Sequence, residues 1–425
     1  MEKENNSNEP HIVFLGEAGF PLGLAAIQRM TLMARALVHA GCATQVVCRK
    51  GVWERGAQDD FPLRGTYKEI DYIYTSKSIY RPKSFFKRNM EKLRGIYREF
   101  VYLGSLKKQG KLDIGFLSTM SSFHLIRYRL VSWVIGFPIV LNFVELASSM
   151  KQRDSILKKT NDYIYDNLFL RLVDGAFPIS EKLMEYYMHI SPNKPCLKLP
   201  ILCDFEKFQY YPKNKNGTEF LYCGAASYFE LVDFVIEAFD HLNINRDDVY
   251  LKLVLGGKEG QISKIVDRIA SARNKDHINL VTNVPHDQIP SLYAKASALL
   301  IPLRPTVQDA ARFPHKIGEY LASGRPVITT AFGEIAHYDF IDGKTALIAE
   351  DFEKESYAQK MQFILTDPEN SASIGINGRQ MGLENFDYTQ HGGRMLELLG
   401  NFTSKINDNN TISNKAGVAH SKNNK

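Results

Sequence analysis

The sequence lacks long uninterrupted apolar runs and has few cysteines and tryptophans. Its five cysteines are odd in number and form no Cys-x-x-Cys pair, which argues against a disulfide framework or a zinc site and fits a reducing compartment. The first residues are polar and lack the basic and then apolar order of a secretory leader. We therefore expect a cytoplasmic protein.

The most apolar stretch, Leu130 to Leu146, is too interrupted to cross a membrane. Gly136, Pro138 and Asn142 fall within it, whereas a spanning helix needs about 18–20 consecutive apolar residues. We interpret this stretch as the end of a buried helix followed by a core strand.

Length and composition predict a globular protein of two domains. The chain has 425 residues, of which 44% are hydrophobic and 24% charged, and this length suits two α/β domains of roughly 200 residues each. Residues 1–10 and 403–425 have almost no apolar side chains. Since they cannot bury enough surface to offset the entropy of ordering, we expect both ends to be disordered.

The first half begins with a strand, loop, helix and strand pattern. An apolar run, His11–Gly16, ends in glycine and is followed by the loop Glu17–Gly23, a helical pattern and the strand Thr44–Cys48. This βαβ start predicts a parallel sheet that contacts its ligand at the carboxyl ends of the strands. The same reasoning predicts further strands at Ile70–Tyr74, Ile114–Ser118, Ile139–Phe143, Gly175–Ile179 and Lys198–Ile201.

After the polar stretch Lys207–Gly217 the alternation of strands and helices begins again. It predicts a second doubly wound domain of the α/β class. The predicted boundaries are an N-terminal domain at 11–206, a linker at 207–217, a C-terminal domain at 218–385 and a final helical segment at 386–402.

The segment from Arg312 to Ile328 carries the clearest chemistry. Arg312 and Lys316 place cations near the start of a predicted helix, where free backbone N–H groups also favour an anion. Glu319 follows His315 and Lys316 by one helical turn, so the three share a face. Cations and amides can hold the phosphates of a nucleoside diphosphate while the carboxylate accepts hydrogen bonds from ribose hydroxyls. The same pattern also fits an ordinary amphipathic surface helix.

This segment, FPHKIGEYLASGRPVI, resembles the donor-binding helix of retaining glycosyltransferases of the GT-B type, the large group 1 family. The segments FLYCGAASYFELVDFVIEAF, LKLVLGG and FPLGLAAIQRMTLMARALVHAG resemble other parts of that family, so that the likeness covers about Ile12 to Leu399. The resemblance implies two Rossmann-like domains that face a cleft, a nucleotide-sugar donor, retention of configuration, a glycan or lipid-linked acceptor, and no metal or other resident cofactor.

The resemblance also implies roles for particular residues. Glu319 is expected to bind the donor ribose, and Gly23 is expected to let the first loop approach the donor diphosphate closely. The final helix is expected to cross back onto the N-terminal domain.

Two departures from the family pattern bear on the donor site. Many relatives carry a glutamate where this chain has Ala311, and Asp309 is the nearby carboxylate that could serve instead. Many also carry an arginine and a lysine where this chain has Ala225 and Glu230. Phosphate neutralisation is therefore expected from Arg312 and Lys316.

In the N-terminal half, Glu145 is the candidate catalytic residue. It ends the apolar segment IVLNFVELASS, and a carboxylate at the end of a strand could orient an acceptor hydroxyl. It could equally cap the next helix or pair with a lysine. A lone histidine near a helix start is usually structural, and we interpret His124 in this way.

Two other functions are carried as alternatives: a nucleotide-sugar epimerase of the same fold, and a non-catalytic protein that binds a glycan or a partner. The losses at Ala311, Ala225 and Glu230 favour the second. The glycines near residue 20 do not form Gly-x-Gly-x-x-Gly, which disfavours a dehydrogenase.

Positive charge is concentrated in one stretch, Lys77–Lys111, which we call the basic segment. It has eleven cations and two acids, whereas the whole chain has a net charge of only +6. This local excess favours an anionic surface as partner and argues against general nucleic-acid binding. Aromatic side chains lie between the cations, so we expect peripheral contact with the inner face of a membrane, with a solvated helix face as the alternative.

Overall fold

The computed structural model describes residues 9–16, 19–23, 25–54, 56, 61–150, 155–208, 217–244 and 246–403. The chain divides into two compact units, of which the first takes Met1–Pro200 and Tyr388–Lys425 and the second takes Ile201–Asp387. Nearly all of the two predicted disordered ends, residues 17 and 18 of the predicted first loop, and residues 209–216 of the predicted linker lie outside the described residues.

The division between the units falls a few residues before the predicted end of the N-terminal domain. Cys203 donates its backbone N–H to Phe386 O at 2.8 Å, and Phe205 donates to the Asp387 carboxylate at 3.2 Å. The segment after Pro200 therefore belongs to the second unit.

The first unit contains a seven-stranded sheet in the order β3-β4-β2-β1-β5-β6-β7, parallel except for β3. Ile12 of the first strand lies between Thr44 of the second and Ile114 of the fifth. The central strands are buried on both sides, which is why they read as nearly continuous apolar runs. The strands are β1 His11–Leu15, β2 Ala43–Cys48, β3 Arg64–Tyr67, β4 Ile70–Tyr74, β5 Ile114–Leu117, β6 Ile139–Phe143 and β7 Gly175–Pro178.

Two details of this sheet differ from the sequence-based expectation. The predicted strand at Lys198–Ile201 is wrong: the segment follows β7 through one hydrogen bond, from Leu199 N to Pro178 O at 2.8 Å, and forms no regular ladder. Pro195 precedes the segment and Pro200 lies within it, and because a proline has no backbone N–H group to donate, pairing is limited. Strand β3 was missed because its side chains are mostly exposed and show no apolar alternation.

In the described part of the first unit, five α-helices precede the second unit. The chain moves in one direction across the sheet from β4 to β5, β6 and β7, and right-handed crossovers then place the three connecting helices on one face. The helix between β1 and β2 moves the opposite way and lies on the other face. The helices are α1 Ala25–His39, α2 Phe85–Lys108, α3 Ser122–Ile135, α4 Ile156–Asn167 and α5 Glu181–Ile190.

The second unit contains a six-stranded sheet, parallel throughout, in the order β10-β9-β8-β11-β12-β13. The chain runs outward from β8 to β10 and then returns to the other side of β8, so the order reverses between β8 and β11. The strands are β8 Thr218–Ala225, β9 Val249–Gly256, β10 Ile278–Thr282, β11 Ala298–Ile301, β12 Val327–Thr330 and β13 Leu347–Ala349.

Seven helices of the described chain surround this second sheet, and together with the first unit they confirm the predicted α/β class with two doubly wound domains. No helix in the described ranges is long and apolar enough to cross a bilayer. The helices are α6 Phe229–Asp240, α7 Glu259–Ala270, α8 Ile289–Lys295, α9 Val307–Ala311, α10 Lys316–Ala322, α11 Lys354–Thr366 and α12 Pro368–Phe386.

The chain then returns to the first unit, where α13, Gly392–Leu399, packs against α1. Glycine is required at the contact, because a Cβ atom on Gly392 would lie 2.2 Å from the carbonyl oxygen of Ala36.

Candidate functional site

The loops after β8 and β11 border the point at which the strand order of the second unit reverses. Open parallel sheets bind their ligands outside the carboxyl ends of the strands at such a point. Arg304 lies three residues after β11, and its Nη1 contacts Glu230 Oε2, in the first turn of α6, at 2.9 Å. An ion pair therefore joins the two segments that border the candidate site.

Asp309 lies at the centre of this cluster and is fully buried. Its carboxylate accepts from Arg304 N at 2.9 Å, Nε at 2.9 Å and Nη2 at 3.0 Å, and contacts Arg312 Nη2 at 2.7 Å. Burial by itself would raise the pKa of Asp309, but the hydrogen bonds from Arg304 and the charge of Arg312 outweigh it and lower the pKa. Both oxygens are engaged, so the geometry makes Asp309 a residue that positions two arginines rather than the predicted catalytic group.

Arg312 is held from two sides. Besides the contact with Asp309, it donates from Nη1 to the Tyr228 hydroxyl at 3.0 Å, and its guanidinium lies 4.9 Å from the centre of the Tyr228 ring. The preceding residue, Ala311, is fully buried. The position at which many relatives carry a glutamate is thus part of the core in this chain.

Glu319 lies on α10, half-buried, and its orientation is fixed by a tyrosine. The Tyr293 hydroxyl donates to Glu319 Oε2 at 3.2 Å. Burial raises the pKa of Tyr293, and the charge of Glu319 raises it further, so Tyr293 remains protonated and can donate. The Tyr293 ring packs edge-on against Tyr320 at 4.9 Å, and the Tyr320 hydroxyl accepts from Cys223 N, near the end of β8, at 3.0 Å.

His315 and Lys316 precede Glu319 by about one turn, as predicted. Both are partly exposed. Lys316 forms no ion pair with any other residue in the described ranges. It is therefore available to an anionic ligand, whereas Arg304 and Arg312 already have carboxylate partners.

The structure gives Gly23 a packing role. A Cβ atom at Gly23 would lie 2.5 Å from Cγ1 of Ile27, so the start of α1 requires a small residue there. Nearby, Gly16 has a φ of +94°, and a Cβ atom on it would lie 2.2 Å from Ser118 O. The loops after β1 and β5 thus approach closely at the point where the strand order of the first sheet reverses.

Glu145 lies two residues after β6 and is half-buried. Its loop is held by Asp166, which is fully buried and accepts from Ser148 N at 2.8 Å and Ala147 N at 3.3 Å. The backbone that carries Glu145 therefore has a defined position at the carboxyl edge of the first sheet.

His124, on the first turn of α3, lies with Nε2 2.7 Å from Arg49 Nη2. Burial, and after it the charge of Arg49, lower the pKa of His124 to about 3. A neutral imidazole that accepts from an arginine fits the structural role expected from the sequence.

Sequence reasoning missed Arg304, Tyr228 and Tyr293, three residues that build the site. Arg304 follows β11 beside the reversal of strand order, and a cation at that position is itself a signal of a ligand site. The two tyrosines gave none, because each acts only through a neighbour that lies far away in the sequence.

Comparison with known proteins finds a family match in the part of the chain that contains the candidate site. Residues 204–381 match the family model described as Glycosyl transferases group 1. The match lies within the second unit, Ile201–Asp387, and covers nearly all of it. A GDP-mannose-dependent alpha-(1-6)-phosphatidylinositol monomannoside mannosyltransferase of Mycolicibacterium smegmatis is 27% identical over 172 residues, which are 39% of this chain and 44% of that protein. The chain thus spans less than half the length of the relatives that it matches by sequence: the match covers 44% of the Mycolicibacterium protein and 42% of a second relative.

Solved structures extend the likeness to the fold of both units. Sucrose-phosphate synthase of Thermosynechococcus elongatus superposes with a TM-score of 0.68 at 16% identity, over 92% of this chain and 98% of that one. HepE of Anabaena, in complex with UDP-glucose, superposes with a TM-score of 0.65 at 14% identity, over 92% and 99%. At these identities the likeness establishes the GT-B fold.

Proposed function

We propose that the protein is a glycosyltransferase that moves a sugar from a nucleotide-sugar donor to a glycan or lipid-linked acceptor, with retention of configuration. The reaction would serve the synthesis of a cell-surface polysaccharide or glycoconjugate. The observation that carries the proposal is the oriented carboxylate of Glu319 on the same helix as Lys316, in the unit that matches the group 1 family model and that carries Arg304 and Arg312 near its strand reversal. A nucleoside diphosphate needs such a set: an acceptor for ribose hydroxyls and donors for phosphate oxygens.

The charges of the cluster suggest how the diphosphate is held. Arg304 and Arg312 have Asp309 and Glu230 as ion-pair partners, whereas Lys316 has no carboxylate partner among the described residues and is the cation most readily available to the diphosphate. Glu230 is 61% exposed and Arg304 only 9%, so Glu230 can move away and leave Arg304 Nη1 to a phosphate oxygen. Preorganised cations then stabilise the charge that develops on the leaving nucleoside diphosphate.

In this proposal the first unit binds the acceptor. Glu145 orients the acceptor hydroxyl at the edge of the first sheet, and the loop at Gly23 approaches the donor diphosphate. The nucleotide sugar is a co-substrate, and no resident metal or cofactor takes part. The protein acts in the cytoplasm, with the basic segment in contact with an anionic membrane surface.

Incubation with labelled donors tests the proposal. The first donors to try are GDP-mannose and UDP-glucose, since the names of similar proteins include them, followed by an acceptor screen with glycans and lipid-linked sugars. We expect label in a glycoside whose anomeric configuration matches that of the donor. An epimerised donor without acceptor would identify an epimerase, and binding without any product would identify a non-catalytic protein.

A further inference from the structure

Helix α2 has an apolar stripe on its exposed side as well as a buried one. Phe86, Met90, Leu93 and Tyr97 are spaced by four, three and four residues, which places them on one side of a helix. Phe86 is 73% exposed and Tyr97 is 69% exposed. The opposite side is buried through a separate set of residues that includes Gly95 and Glu99. The outward stripe therefore does not contribute to the core.

The next two helices repeat the feature. On α3, Phe123, Ile126, Leu130 and Trp133 follow the same helical spacing, and Trp133 is 62% exposed. At the start of α4, Ile156 is 82% exposed and Leu157 is 85% exposed. Most of the exposed large apolar side chains in the described ranges belong to these three helices.

The three outward sides form one surface, which we call the α2–α4 face. The helices are successive crossovers on one side of the first sheet. Glu99 of α2 contacts Arg127 Nη1 of α3 at 2.6 Å, and Ser122 N of α3 donates to Asn161 Oδ1 of α4 at 3.0 Å. These buried polar contacts hold the helices side by side and leave the apolar stripes facing outward together.

The distribution of charge on the same helices is asymmetric. Their acidic residues are mostly turned inward: Glu99, Asp162 and Asp166 are buried, while Glu91 pairs with Arg94 at 3.1 Å. The cations are turned outward, so a second copy of this face would bring like charges together. An anionic lipid surface complements both features, because it offers an apolar interior to the apolar stripes and negative charge to the cations. The exposed cations of the three helices include Lys87, Lys92, Arg94, Lys108, Lys158 and Lys159.

We propose that the α2–α4 face docks on an anionic bilayer and inserts apolar side chains of all three helices into the interface. The basic segment thus supplies only one edge of the contact, and α3 and α4, which lie outside it, supply much of the inserted surface. This inference rests on the peripheral association proposed above but not on the transferase activity.

Tryptophan fluorescence tests insertion directly. The chain has two tryptophans, and the variant Trp53→Phe leaves Trp133 of α3 as the only one. With vesicles rich in anionic lipid, we expect a blue shift of Trp133 emission and quenching by bromine-labelled acyl chains; with neutral vesicles, we expect neither. Emission that stays unchanged while the protein sediments with anionic vesicles would overturn the proposal.

A pair of matched variants separates insertion from simple charge attraction. Ile156→Ser with Leu157→Ser alters two highly exposed side chains of α4 and is expected to weaken vesicle binding at least about 10-fold. The control is Val266→Ser with Ile376→Ser in the second unit, where the side chains are 49% and 53% exposed, and it is expected to bind as wild type. Nucleotide binding should be unchanged in both variants, which tests the transferase proposal separately.

Two outcomes would overturn the inference. The first is loss of vesicle binding on replacing Lys83, Lys87, Arg88 and Lys92 by serine, together with unchanged binding in the α4 variant. In that case charge alone would hold the basic segment to the membrane. The second is a dimer in sedimentation velocity that the α4 variant converts to a monomer, since the face would then belong to a second copy of the chain.

Discussion

The substitution Asp309→Asn tests the ion-pair cluster that Asp309 forms with Arg304 and Arg312. The change keeps the shape of the side chain and removes one negative charge from a fully buried site. Arg304 and Arg312 then remain close together without the carboxylate that both contact at 2.7–3.0 Å. Breaking a buried ion pair by removing one partner costs about 3–5 kcal/mol. We expect the free energy of unfolding of the second unit to fall by about that amount.

The control is Glu230→Gln, which removes a different carboxylate from the same Arg304. Because Glu230 is 61% exposed, its ion pair is expected to contribute only about 0–1 kcal/mol. Each variant thus removes a carboxylate that pairs with Arg304, but the Asp309 carboxylate is buried and the Glu230 carboxylate is exposed.

Urea unfolding measures both variants. Trp53 and Trp133 both lie in the first unit, so tryptophan fluorescence reports that unit alone. Circular dichroism reports both units, and the second unit is seen as the part of its transition that the fluorescence does not follow. We expect Asp309→Asn to shift the transition seen by circular dichroism and to leave the fluorescence transition in place. Equal losses in the two variants, or a loss below about 1 kcal/mol in Asp309→Asn, would refute the account of the cluster.

Two further predictions concern turnover and pH. Lys316→Ala should lower turnover more than it lowers affinity for the free nucleoside, because the lysine acts on the diphosphate. If Lys316→Ala and Arg312→Ala both turned over as fast as wild type, the two cations would be excluded from catalysis. The pKa of His124 is about 3 in the folded state, below the roughly 6.5 of an unfolded histidine, so the unfolded chain binds the proton first as the pH falls. The stability of the first unit should therefore decline between about pH 6.5 and pH 3, and His124→Gln, measured by urea unfolding with tryptophan fluorescence, should decline less over that range.

Much of the fold could be predicted because it depends on local pattern. The strands Ile70–Tyr74 and Ile139–Phe143 have the same bounds in the sequence-based prediction and in the structure. The first shows the alternation of a half-buried strand, and the second is a nearly continuous buried run. The cap of α5 is equally local, because Ser180, directly before the helix, accepts with Oγ from Leu183 N at 3.2 Å.

The errors arise where distant residues decide the local structure. Strand β3 exists because it pairs with β4, not because of its own composition. The chain after Pro200 joins the second unit through its contacts with Phe386 and Asp387, which no local signal shows.

The same limit applies to the candidate site. The relative position of Lys316 and Glu319 could be predicted, because both lie on α10 and the helical repeat alone places them about one turn apart. The role of Asp309 could not, since its burial beneath Arg304 and Arg312 is a tertiary fact. A carboxylate near a predicted site can be a reactant or a support, and only its partners distinguish the two.

Nucleotide-sugar binding by wild type and by Glu319→Ala is the most direct test of the central claim. We expect one of the UDP-, GDP-, ADP- or TDP-linked sugars to stabilise the wild-type protein, by about 2.7 kcal/mol at 100 times its dissociation constant. Hydrogen bonds to a charged group contribute about 1.5–3 kcal/mol. Calorimetric titration should therefore show that a folded Glu319→Ala protein binds the nucleotide sugar at least about 10-fold more weakly than wild type. Stabilisation by none of the four, or equal affinity in wild type and variant, would contradict the account.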